Sequence, residues 1–434
     1  RLMMADLSIN FAGIKAPNPF WLASGPPTNT AGQVIRAFEA GWGGAVWKTV
    51  GEPIVNTVSR YGGIDYGLQK LMGFNNIELI SDRPIEDNLR EIADVKKRYP
   101  NHAVIVSLMV ESRRDAWHEI VKRTEDTGCD GLELNFGCPH GMSERGMGAA
   151  VGQVPEYTTM ITEWVKEVAR TPVIVKLTPN VTDVTYLAKA AERGGADAIS
   201  LINTINSVMG VDLEALEPRP TVRGKSSHGG YCGPAVKPIA LHMVSSCAKN
   251  VKIPVSGIGG IATWQDAAEF VALGAGSLQV CTAAMHYGFR IVEDLIDGLG
   301  AYLDSKGSPS VSEFSGRAVP NVCEWGELDL NYKIIADIDA ERCIGCHLCY
   351  VACNDGAHQC IEEYPASNGK LRVPRIIEEE CVGCNLCALV CPVEGCITMK
   401  EVETAEPFLS WNDRARKQKL DSGQPYTPSL WSKV

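Results

Sequence analysis

No apolar stretch in this chain approaches the roughly 20 residues a helix needs to cross a bilayer, so no helical membrane span is expected. Basic residues are outnumbered, 41 Lys and Arg against 52 Asp and Glu. The resulting net charge of −11 leaves no wide positive surface to neutralise phosphates. That excludes an ordinary nucleic-acid binder. Arg1 to Ser8 lack the basic-then-apolar layout of a secretory signal, which makes the cytoplasm the expected compartment. Also missing is a Gly-x-Gly-x-x-Gly turn after any apolar run. The nearest approach, Gly146 to Val151, has Val where the third glycine belongs. The chain therefore offers no ordinary nicotinamide or FAD site of its own.

What is present is a chain of 434 residues, 45% hydrophobic and 21% charged, enough for one large domain with smaller ones attached. Over the first roughly 310 residues, short apolar runs alternate with amphipathic stretches. Eight runs read as buried parallel strands: Phe20–Ser24, Gly44–Thr49, Ala103–Met109, Gly131–Asn135, Val173–Leu177, Ala198–Asn203, Pro254–Gly259 and Ser277–Thr282. Helical patterns separate them, among them Thr30–Ala40, Ile85–Arg98, Asp115–Thr127, Pro155–Arg170, Val184–Arg193, Lys237–Lys249 and Thr263–Leu273. Eight such units predict an α/β fold, a (β/α)8 barrel. A doubly wound sheet is the rival, but it would need fewer strands and usually a Gly-rich first turn. Leu7–Ile14 and Pro17–Phe20 predict a hairpin closing the barrel floor. The expected domains are the barrel with its hairpin over 1–312, a linker over 313–332, a cysteine-rich module over 333–402 and a polar tail over 403–434. The tail carries Arg414, Arg416, Lys417, Trp411 and Trp431 without a core pattern. It is expected to be disordered or an arm laid on a partner.

The 16 cysteines are unevenly placed: six lie in the first 323 residues, and ten lie between Cys343 and Cys396. A dense cluster late in a long chain points to metal more than to disulfides. Cys343, Cys346, Cys349 and Cys353 follow the spacing C-x2-C-x2-C-x3-C, and Cys381, Cys384, Cys387 and Cys391 repeat it with Pro392 behind. This is the two-cluster ferredoxin spacing, in which the fourth cysteine of each run ligates the other cluster. Cys343, Cys346, Cys349 and Cys391 should hold one [4Fe-4S] cluster, and Cys381, Cys384, Cys387 and Cys353 the second. Structural zinc is the alternative, but zinc needs neither the third x2 step nor the x3-Cys-Pro ending. Cys360 and Cys396 fall outside the spacing and read as packing residues. The module is expected to be a small α+β ferredoxin-like domain.

In a (β/α)8 barrel, chemistry sits at the carboxyl ends of the strands. Those ends supply Ser24, Lys48, Thr49, Asn135, Cys138, His140, Lys176, Asn203, Thr204, Gly259, Gly260, Cys281 and Thr282. Glycine turns after strands seven and eight form a common phosphate site in barrels. Together with Lys48 and Lys176, they suggest a flavin. Lys176 could stabilise negative charge on a reduced isoalloxazine. Cys138, with His140 two residues on, is the candidate acid. The alternatives are a packing cysteine and surface lysines with snorkelling stems.

These residues together resemble the flavin- and cluster-bearing subunit of bacterial NAD-dependent dihydropyrimidine dehydrogenases, and the C-terminal part of the animal enzymes. The resemblance covers roughly residues 5 to 400. It is carried by Asn18–Phe20, Gly41–Gly43, Lys48–Thr49, Asn76–Ile80, Glu133–Asn135, Cys138–Gly141, Lys176–Asp183, Ile202–Thr204 and the two ferredoxin runs. It implies that NADH delivers electrons to FAD on a separate PreT-like partner subunit, within a heterotetramer. They would pass through the two clusters to FMN in the barrel. Reduced FMN would give hydride to C6 of uracil or thymine, and Cys138 would protonate C5. Asn76, Asn135, Asn203 and Thr204 would bind the pyrimidine amide edges. Ser24, Lys48, Thr49, Asn76, Asn135, Lys176, Gly230, Gly259, Gly260, Cys281 and Thr282 would line the flavin. The loop through Gly141, Gly146 and Gly148 would be a mobile lid. Gly137 departs from the family pattern, which commonly has serine there, and this bears on substrate choice more than on reaction type.

Two other readings compete. A dihydroorotate dehydrogenase-like enzyme would use the same barrel, but its substrate's carboxylate calls for a cation such as His140 or a lysine, and it leaves the fused clusters unexplained. An electron-transfer scaffold would keep the clusters on an inactive barrel, against which Cys138 and both lysines speak.

Overall fold

In the computed structural model of the chain, residues 5–55, 60–365 and 372–422 are described. They form two compact units, Arg1–Val322 and Cys323–Val434. The stretch 313–332 is thus divided between the units.

In the first unit eight strands close into a barrel: Phe20–Leu22, Gly44–Gly51, Ala103–Met109, Gly131–Asn135, Val173–Lys176, Ala198–Leu201, Val255–Ile258 and Ala275–Val280. Each pairs in parallel with the next. The eighth closes on the first, with Leu278 opposite Phe20 and Gln279 opposite Trp21. Ala103–Met109 is buried at every position, as a strand must be when side chains cover it inside and helices cover it outside. The helices bury one stripe each. Ile85–Arg98 buries Ile85, Asn88, Ile92 and Val95, and it carries Glu86 and Asp87 in its first turn and Lys96, Lys97 and Arg98 in its last. That charge order opposes the helix dipole favourably at both ends.

The end opposite the functional rim is plugged by a hairpin of Ile9–Phe11 and Ile14–Ala16. Phe11 meets Trp21 edge-on at 5.6 Å. The second hairpin strand is Ile14–Ala16 and not Pro17–Phe20, because Phe20 already begins the first barrel strand. A four-stranded antiparallel sheet, in the order Ile205–Ser207, Gly229–Cys232, Gln69–Asn76 and Tyr61–Tyr66, is an addition that the barrel pattern did not announce. Its pairing sets Asn76 beside both Gly230 and Tyr61.

The second unit repeats itself. Lys333–Ile338 pairs with Ile397–Val402, and Ile361–Pro365 pairs with Arg372–Ile376. Each cysteine run bends at the same place: Gly345 and His347 have φ of +69° and +64°, and Gly383 and Asn385 have +69° and +67°. The left-handed turns let three closely spaced thiols face one side. Within the region expected to be a tail, Trp411–Ser422 is helical and Trp411 meets Trp325 at 5.4 Å. Trp431 lies outside the described residues. No helix among them is long and apolar enough to cross a membrane.

Candidate active site

The carboxyl ends of the barrel strands and the added sheet enclose one cavity. Ser24, Lys48, Thr49, Asn76, Asn135, Cys138, His140, Lys176, Asn203, Thr204, Gly259, Gly260, Cys281 and Thr282 all line it. Gly230 does not. A Cβ there would lie 2.1 Å from Thr204 Oγ1, so this glycine serves the close approach of sheet and loop, while its neighbours Tyr231, Cys232 and Gly233 reach the cavity. Tyr61, Phe74, Glu78 and Gln279 also line it. The sequence pattern did not single out Tyr61, Phe74 and Glu78, which ride on or beside the unannounced sheet.

The floor is a continuous polar network. Asn203 Nδ2 donates to Asn135 Oδ1 at 3.1 Å, and Asn135 Nδ2 donates to Thr49 Oγ1 at 3.0 Å. Thr49 reaches Ser107 at 2.8 Å and Ser24 at 3.3 Å. Asn135 Oδ1 also accepts the backbone N–H groups of Gly137 and Cys138, each at 3.2 Å. These amides are therefore held in fixed orientations, with donors and acceptors in known planes. Two ion pairs flank the floor: Lys48 to Glu78 at 3.4 Å and Lys176 to Glu133 at 3.6 Å. Both lysines are buried.

Cys138 sits in a small apolar cluster with Leu79, Ile80, Met109, Met142 and Met147. Burial pushes its thiol up to about 11, although a backbone hydrogen bond from His140 and the charge of Lys176 pull the other way. The group is thus a thiol at neutral pH and can give a proton. Sγ lies 3.5 Å from the carbonyl of His140. The imidazole points elsewhere: Nε2 meets the Glu78 carbonyl at 2.8 Å, and burial lowers its pKa below the usual value. The ring thus anchors the loop to the Glu78 carbonyl, and it is the His140 backbone that meets the Cys138 sulfur. His228 braces the same loop at the Pro139 carbonyl, 3.2 Å away.

Gly137 has a physical reason to be glycine. A Cβ there would lie 2.5 Å from both Cβ and Nδ2 of Asn203. The space that a serine would use is filled by the Asn203 amide.

The rim beyond strand seven is shaped for a phosphate-bearing ring cofactor. Gly259 and Gly260 have φ of +127° and +81°, and a Cβ on Gly260 would stand 2.9 Å from the Gly233 carbonyl. Such glycines leave backbone N–H groups open to an anion. Gln279 Oε1 is buried without a hydrogen-bond partner in a side chain lining the cavity, so it suits a donor on a bound ring. This donor set fits a flavin.

In the second unit two small cavities are lined by thiols. One is bordered by Cys343, Cys346, Cys349 and Cys391, and the other by Cys353, Cys381, Cys384 and Cys387. Each takes three cysteines from one run and the fourth from the other. Cys396 and Cys360 line the same two cavities. Their sulfurs approach backbone carbonyls of Asp339 and of His358 and Glu380.

Fold and site together define a flavin-type barrel oxidoreductase joined to an iron–sulfur module. Residues 6–303 match the dihydroorotate dehydrogenase family, and residues 336–399 match the 4Fe-4S dicluster domain. The chain is 43% identical over 406 residues to the NAD-dependent dihydropyrimidine dehydrogenase subunit PreA of Escherichia coli K12, covering 93% of this chain and 97% of that one. It is 43% identical to the chloroplastic dihydropyrimidine dehydrogenase (NADP(+)) of Arabidopsis thaliana, over 72% of this chain and 77% of that one. The catalytic subunit of dihydroorotate dehydrogenase B from Pyrococcus abyssi is 40% identical, over 72% of this chain and 99% of its own. A dihydroorotate dehydrogenase of Eimeria tenella, crystallised with ferulenol, shares the fold at a TM-score of 0.60 and 20% identity, over 72% of this chain and 88% of its own. The chain belongs to the dihydroorotate dehydrogenase family, in the group of the dihydropyrimidine dehydrogenases and their PreA subunits.

Two outcomes are expected. Alkylation of Cys138 by iodoacetamide should rise with pH around about 11 and not around the ordinary 9.0. A rate half-maximal at pH 9.0 would show an unshifted thiol. Gly137→Ser should displace Asn203 and break its bond to Asn135. Loss of one such bond to the substrate amide should raise KM by roughly tenfold with flavin content unchanged. An unchanged KM would show that Asn203 tolerates the extra atoms.

Proposed function

We propose that this chain reduces uracil or thymine to the 5,6-dihydropyrimidine. The observation that carries the reading is the buried, protonated thiol of Cys138 beside the fixed amides of Asn135 and Asn203, with Asn76 and Thr204 lining the same cavity. The flavin is FMN, held by Ser24, Lys48, Thr49, Lys176, Gly259, Gly260, Cys281 and Thr282. When bound, it supplies two-electron hydride chemistry. The asparagines orient the ring through its amide edges, and burial by the methionine cluster excludes water from the thiol. Cys138 then delivers its proton at C5 as the adjacent carbon is reduced, while Lys176 balances charge at the flavin. Two [4Fe-4S] clusters in the second unit carry electrons singly, entering from NADH through an FAD-bearing, PreT-like partner. A reducing compartment, the cytoplasm, suits a chain with no disulfide among its described cysteines.

The dihydroorotate reading is less well supported. The matched dihydroorotate dehydrogenase B subunit covers only 72% of this chain, whereas the PreA match covers 93%.

An anaerobic half-reaction tests the proposal. The cluster-replete chain, reduced with dithionite and freed of excess, is mixed with uracil, thymine or orotate. Flavin reoxidation with dihydrouracil or dihydrothymine as product is expected, and Cys138→Ala should slow it about 10²–10⁴-fold. Reoxidation by orotate alone would contradict the pyrimidine reading.

A further inference from the structure

Glu133 is the fully buried carboxylate of the barrel interior, at 0% exposure. A carboxylate in the middle of an apolar strand is costly unless it is held and paired. Here one oxygen is held: Oε2 accepts Ser200 Oγ at 2.8 Å and Gln279 Nε2 at 3.0 Å. Gln279 is itself braced by Ser256 at 3.3 Å, and Ser256 by Ser277 at 2.7 Å. The other oxygen, Oε1, has no hydrogen bond and faces Lys176 Nζ at 3.6 Å. The clamp thus aims one carboxylate oxygen at the lysine from below. The lysine in turn lines the cavity, where its charge is felt by Cys138 and Cys281. None of the clamp's serines lines that cavity.

We propose that Glu133 is a positioning residue that fixes Lys176 and offsets part of its charge, so setting the field at the flavin. The inference rests on the flavin reading of the mouth. A lysine facing the ring favours added electron density there, and an adjacent buried carboxylate weakens that preference. The pair thereby keeps the bound flavin willing to pass hydride on, where an uncompensated lysine would trap electrons on it. The sign follows directly: removing the negative charge makes the flavin easier to reduce and more open to anions.

The test uses the full chain with clusters and flavin. Sulfite adds reversibly to oxidised flavins and bleaches them without touching cluster absorption, so a difference spectrum reads the flavin alone. Glu133→Gln should tighten sulfite binding by about tenfold or more. It should also shift the two-electron reduction equilibrium at least tenfold toward reduced flavin, about 30 mV. Glu133→Asp keeps the charge but shortens its reach to Lys176. It should move both readings the same way by less, and it carries the test if glutamine at 133 does not fold. A merely structural role would lower the melting temperature and leave both readings at wild-type values in whichever variant folds, and that result overturns the inference. Wild-type protein that binds no flavin at all would instead sink the flavin reading, so the two failures are distinguishable.

Discussion

Closing a parallel sheet on itself is the constraint from which the rest of this protein follows. Eight strands running the same way bring eight carboxyl ends to one rim. Residues separated by more than two hundred positions, such as Ser24 and Cys281, thereby line one cavity. The pairing of Ala275–Val280 with Phe20–Leu22 completes the ring. The same closure lets Gln279 reach across to Glu133 inside the barrel.

Burial then decides the chemistry. Water is kept from Cys138 by a methionine-lined cluster, which leaves the thiol protonated and able to act as an acid. Each buried lysine of the mouth has a carboxylate within 4 Å, Glu78 for Lys48 and Glu133 for Lys176. The cavity therefore holds balanced charge in fixed places. Charge added by a cofactor or a substrate meets dipoles and ions that need little rearrangement.

Much of this was legible in the sequence. Apolar runs bounded by Gly and polar residues located all eight barrel strands to within a few residues, because strands buried on both faces admit almost nothing polar. Lys48 and Lys176 stood out for the same reason, as charges at the ends of such runs. The cysteine spacing pointed to an exchange of Cys353 and Cys391 between the two runs, and the two thiol-lined cavities each draw on both runs. The sheet over the mouth was not legible: Tyr61–Tyr66 is largely exposed and lacks an apolar alternation. Gly230 was misplaced with it, since its small size answers Thr204 and not a ligand. The direction of the His140 ring was equally hidden, because it depends on the Glu78 carbonyl 62 residues away. Glu133 did offer a signal, a carboxylate between Leu132 and Leu134, but its partners come only with barrel closure.

The proposal that one chain carries FMN and two [4Fe-4S] clusters is tested most directly by the chain's content when purified anaerobically. One FMN released by acid, with eight iron and eight sulfide per chain, is the predicted result for two [4Fe-4S] clusters. Zinc in place of iron, or iron without flavin, would contradict it.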